Sequence, residues 1–150
     1  MQIIKDKQRV DNTWQFIADE ENLIAGDITV SLTRWLQDKA TLIAHNGNVG
    51  LRLKVDDSVA DFADDLAHIK LIELNFADFA DGRFFSQAWL LRGRYDYKGE
   101  IRAIGRYLPE QVFYLSRVGV NDYASEKTAD LDSVLNNLND FTVKYQPSII

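Results

Sequence analysis

From Ile28 onward, apolar residues arrive in short β-rich runs, each followed by a segment whose apolar positions recur every three or four residues. That alternation is the order of parallel strands joined by crossover helices, and five such units can be read. The predicted strands are Ile28 to Leu32, Val49 to Val55, Leu71 to Phe76, Glu100 to Ile104 and Asp122 to Ser125. The first helix carries Leu32, Trp35, Leu36 and Ile43 on one face, with Gly47 as its stop. The second follows the capping pair Asp57-Ser58 and presents Val59, Phe62, Ala63, Leu66 and Ile69, the clearest helical spacing in the chain. The third starts at Asp81 with Phe84, Ala88, Leu91 and Tyr95 as its stripe. The fourth opens at Pro109-Glu110 and closes at Gly119. The fifth carries Leu131, Val134, Leu135 and Leu138.

Ahead of these units, Ile3-Ile4 and Trp14 to Ile17 flank the polar stretch Lys5 to Arg9, which predicts a small hairpin extension over residues 1–25. No linker or low-complexity stretch divides the rest, so 1–150 reads as one α/β domain with its βα units over 28–141. The expected fold is a mostly parallel sheet of about five βα units, with helices covering both faces. The alternative is a partial or irregular βα barrel, since a complete eightfold barrel needs roughly 250 residues.

Charge changes this picture at three places. Strands covered on both faces read as continuous apolar runs, yet Arg52, Glu73 and Arg102 stand at mid-strand. A lone buried charge is costly, so these groups must pair with one another, line a polar anion-binding cleft, or reach solvent at an edge. Pairing is available because consecutive strands tend to be neighbours, and a barrel would place all three on a common interior.

A second feature is Asp78-Phe79-Ala80-Asp81-Gly82-Arg83, at the end of a strand and the start of a helix. Free backbone N–H groups, Gly82 and the Arg83 guanidinium there can hold a small oxyanion. The plainer reading makes Asp81 a helix cap and Arg83 a solvated residue of the first turn. Arg106 leaves the same edge of the next unit and adds to the positive patch if the two strands are adjacent.

Composition narrows the chemistry. The chain has 150 residues, 46% of them hydrophobic, with no cysteine, two histidines and a formal charge of −6. The negative charge argues against nucleic acid and anionic membrane surfaces as partners. The opening Met1 to Asp6 has no signal-like pattern, and no apolar run approaches membrane-span length, which points to the cytoplasm. Without cysteine there is no disulfide, thiolate nucleophile or iron–sulfur ligation. His45 and His68 are too far apart for paired metal ligands on one helix, so no metal is expected. Glycine-rich nucleotide motifs are missing, so no cofactor is expected, and no serine, histidine and acid arrangement supports nucleophilic hydrolysis. Asp61, Asp64 and Asp65 read as a solvated helix face, and Phe76, Phe79, Phe84, Phe85 and Trp89 as core packing rather than a bracket for a flat ligand.

The stretch from Asn75 to Ser86, followed by Tyr97 to Gly105 and Gln111 to Leu115, resembles the bacterial family known as domain of unknown function 934. Leu32 to Leu36 and Val143 to Gln146 extend the resemblance through most of the chain. It implies an association with sulfite reduction, either as a probable oxidoreductase or as an accessory partner of sulfite reductase. No established catalytic residues come with it. The positions that match are Arg52, Asp81, Gly82, Arg83, Ser86, Arg102 and Gln111, which overlap the anomalies above. Phe84 replaces a common glycine, Val118 a frequent cysteine and Arg106 a frequent acid, so a redox thiol is not the mechanism of this member.

Overall fold

The protein is described by a computed structural model covering residues 2–77, 82–125 and 127–144. Eight strands form one curled half-barrel sheet. They are β1 (Gln2–Lys5), β2 (Gln8–Asp11), β3 (Gln15–Phe16), β4 (Ile28–Ser31), β5 (Val49–Leu53), β6 (Leu71–Phe76), β7 (Glu100–Gly105) and β8 (Asp122–Ala124). Their spatial order is β2-β1-β8-β7-β6-β5-β4-β3. Strands β3 to β8 run parallel, whereas β1 is antiparallel to both β8 and β2.

From β4 to β8 each strand lies beside its predecessor in the chain, so every crossover has the same hand and every helix falls on the same face. This corrects the expectation of helices on both sides, and the partial barrel is the arrangement that fits. One face is continuously apolar: Val30, Leu51, Ile72 and Ile101 stand in register, as do Leu53, Leu74, Ala103 and Tyr123. These residues share a single core with Trp35, Phe62, Phe84, Leu91, Leu115 and Val134 from the connecting segments. The opposite, concave face carries the charges.

The N-terminal hairpin exists, but its strands differ from the predicted ones. Asp6 and Lys7 both adopt positive φ, 51° and 67°, which makes the two-residue turn that returns Gln8–Asp11 onto β1. Trp14 to Ile17 contributes β3 at the far edge of the sheet, and β1 is integral to the sheet through β8. The sequence misleads because Gln8–Asp11 is polar: it is an edge strand, half-exposed on both sides.

The helices are α1 (Leu32–Gln37), α2 (Lys39–Ile43), α3 (Arg83–Trp89), α4 (Val112–Arg117) and α5 (Thr128–Lys144). Ser31 caps α1 by accepting the Arg34 N–H. The first predicted helix breaks at Asp38, which turns Leu36 and Ile43 outward while Trp35 and Leu42 stay buried. Gly47 is not that helix's stop. It has a φ of 136°, and the Gly26 carbonyl oxygen lies 2.1 Å from where a Cβ would stand. The second predicted helix is instead two 3₁₀ segments, Val59–Asp61 and Ala63–His68. Asp57 spends its carboxylate on the Lys54 N–H, and Ser58 makes no side-chain cap. Asp65 is no solvated face residue, because it accepts from the Trp35 indole N–H and pairs with Lys39. The α3 axis continues as a π-turn through Leu90–Arg94, the fourth helix begins with a 3₁₀ turn at Pro109–Gln111, and Trp89 is exposed. Predicted positions Phe79 and Asp81 lie outside the described residues.

Candidate anion cleft on the concave face

Pairing along the strands lines up one row of polar side chains across the concave face. Ser31 opposes Arg52, Arg52 opposes Glu73, Glu73 opposes Arg102, Arg102 opposes Asp122, and Asp122 opposes Lys5. Arg52 Nε donates to Glu73 Oε1 at 3.0 Å, and the Arg52 guanidinium stacks over the Phe16 ring at 4.1 Å. Arg102 is 1% exposed and stands among three carboxylates, Glu73 at 3.6 Å, Glu100 at 3.7 Å and Asp122 at 3.5 Å, while donating to Asn12 Oδ1 at 3.2 Å. The three mid-strand charges therefore pair with one another, and Arg52 also reaches the cleft described below.

At the Lys5 end, the ammonium binds Glu100 at 2.7 Å. Burial, a hydrogen bond to Glu100 and the Glu100 charge push the Asp122 carboxyl up to about 8. Burial works against ionised Glu100 too, but its hydrogen bonds to Asp122 and Lys5 hold it below its ordinary value. The Asp122–Glu100 pair thus keeps one proton between them at neutral pH. Lys5, Arg52 and Arg102 then supply three positive charges against Glu73 and the single negative charge of that pair.

At the C-terminal ends of β5 to β8 the concave face opens into a cleft of about 370 Å³. Ligands favour this edge of a parallel sheet. Arg52, Arg106 and Lys127 line the cleft with the acids Glu73 and Asp130, the neutral polar residues Asn12, Asn75 and Ser125, and the apolar floor of Ile104 and Ala124. That floor belongs to a separate small apolar cluster with Ile3 and Val10. Arg106 and Lys127 are exposed, and neither side chain bonds to another described residue. The Arg52 Nη groups likewise have no hydrogen-bond partner among the described residues.

Gly105 joins β7 to this cleft. Its φ is 85°, and a Cβ there would stand 2.5 Å from the Phe76 carbonyl oxygen and 2.8 Å from Asn75 Oδ1. Gly105→Ala should cost about 1–3 kcal/mol in a urea unfolding titration. A change below about 0.5 kcal/mol would show that the loop relaxes without strain.

Of the charged residues singled out from sequence, Arg52, Glu73 and Arg106 line the cleft. Arg102 lies in the polar row, out of solvent. Arg83 is exposed at the start of α3 and makes a contact of its own; Ser86 stands exposed one turn on. Gly82 has an ordinary right-handed conformation, φ −90°, with open space where a Cβ would be, so the backbone does not require glycine there. Gln111 Oε1 accepts the Leu108 N–H at 2.8 Å and caps its own turn. The strands β6 and β7 are neighbours, and Arg106 lines the cleft with Arg52. Sequence reasoning missed Lys127, Asn12, Asn75, Ser125 and Asp130, which only the folded chain brings together. It also missed Arg34, whose guanidinium gathers the carbonyls of Ala18, Asp19 and Glu21, and Arg92, which binds those of Tyr97, Gly99 and Gly119.

Among the described residues no helix is long and apolar enough to cross a membrane. A comparison with curated proteins returned no match. Residues 50–150 match the family described as bacterial protein of unknown function (DUF934), a span that includes β5 to β8 and most of the cleft, and the chain belongs to that family.

Proposed function

We propose that this chain is a cytoplasmic oxyanion-binding module that acts as an accessory partner of sulfite reductase, taking sulfite or sulfate at the concave cleft. The observation that carries this reading is the convergence of Arg52, Arg106 and Lys127 on one cleft, with donor groups not used elsewhere in the described residues. The proton kept by the Asp122–Glu100 pair leaves the adjoining row with an excess of positive charge, and the cleft wall strengthens its field. The chain has no cysteine and no glycine-rich nucleotide motif, which supports an accessory role over a free-standing reductase.

Titration calorimetry with sulfite and with sulfate tests the cleft. Arg106→Ala and Lys127→Ala should each weaken binding about tenfold, the effect of losing one charge-assisted hydrogen bond, and both positions are exposed enough to leave the fold intact. No heat with either anion rejects the cleft. A strain lacking the gene should fail on sulfate and sulfite and recover on sulfide; normal growth on all three rejects the pathway.

A further inference from the structure

The cleft is larger than the inorganic anions it is proposed to hold. A tetrahedral oxyanion needs roughly 60 Å³, about two water volumes, whereas the cleft offers about 370 Å³, the lower end of sites that take small organic molecules. Its cations are also split between two walls. Arg52 is fixed on β5 by its Glu73 bond and its Phe16 stack, while Arg106 leaves the end of β7 and Lys127 precedes α5. Backbones two strands apart are separated by roughly 10 Å, so Arg52 and the Arg106–Lys127 pair approach the cleft from different sides. Between the two walls lie the apolar surfaces of Ile104 and Ala124.

We infer that the ligand of this site is a small organic anion with an acidic group at each end and a short carbon body between them. One end sits on Arg106 and Lys127, the carbon body crosses Ile104 and Ala124, and the other end takes the Nη groups of Arg52. Asn75 and Ser125 are placed to bond a hydroxyl or carbonyl on the body. This inference rests on the oxyanion reading above and names its substrate class.

Calorimetry with 3-phosphoglycerate, glycerol 3-phosphate and inorganic sulfate tests it, the first probe having two acidic ends and the second only one. The two-ended probe should bind at least about tenfold more tightly than either of the others. Arg52→Met should remove that advantage. Arg52→Lys keeps a charge against Glu73 and should lose most of the advantage, which separates ligand binding from folding. Arg106→Ala should weaken all three. If sulfate binds and 3-phosphoglycerate binds no tighter, the two-ended ligand fails and the oxyanion reading stands. If none of the three binds, both fail.

Discussion

Replacing Arg102 with methionine is expected to remove about 3–5 kcal/mol of stability, the usual cost of deleting one partner from a buried ion cluster. Domains of this size are stable by only about 5–15 kcal/mol, so the variant should unfold at markedly lower urea. The reason is what remains: Glu73 and the Asp122–Glu100 pair lose the buried guanidinium that stands between them, and each keeps only its partner at the end of the group, Arg52 and Lys5. Methionine keeps most of the side-chain volume, so the loss comes from charge rather than from a cavity. Removing Glu73 in the same chain, as Glu73→Gln with Arg102→Met, should recover about 1 kcal/mol or more relative to additivity, because the two residues touch. A loss below about 1 kcal/mol for Arg102→Met alone would mean that the row is held by its neighbours and that Arg102 is incidental. Arg102 is a structural cation, and a binding defect in its variants would not by itself identify a ligand contact.

Much of this architecture was legible because the strands announce themselves. Strands β4 to β8 follow the predicted order, and of the alternatives open to the mid-strand charges, pairing across neighbours is realised. The one-sided covering of the sheet was also in the sequence. Arg52 sits between Leu51 and Leu53, Glu73 between Ile72 and Leu74, and Arg102 between Ile101 and Ala103. Period-two alternation of that kind marks a sheet with helices on one face. What could not be read was register. Asp122 begins its strand and looks like a boundary residue until pairing sets it beside Arg102 and Lys5. Local spacing also gave no sign that Val59 to His68 would wind as 3₁₀ turns, since the same apolar positions serve either helix. The cleft was the least legible feature. Its residues come from the end of β2, the ends of β5 to β8 and the start of α5, distant segments whose meeting is a product of topology.

Stability should fall as pH rises through neutrality, and Asp122 is the group responsible. Its carboxyl is carried from an ordinary 3.8 to about 8, first by burial and then by its hydrogen bond to Glu100. Between those values the folded chain keeps a proton that the unfolded chain has lost. Linkage then requires that the stabilisation be complete below about 4, decline progressively as pH increases, and be gone above about 8. Glu100 works in the opposite sense and in a different range: held below its ordinary value, it stays ionised here and loses its contribution only in acid. Lys5 is shifted upward, chiefly by its bond to Glu100, and remains charged throughout the window. Asp122→Asn fixes the neutral form, so its melting temperature should be nearly flat between about pH 6 and pH 9 where the parent protein declines, and the variant should be the more stable of the two at the alkaline end. Parallel decline of both proteins would mean that Asp122 holds no such proton; with Glu73, Glu100 and Asp122 all ionised, the three cations are balanced and the excess positive charge on which attraction of anions to the adjoining cleft depends is gone.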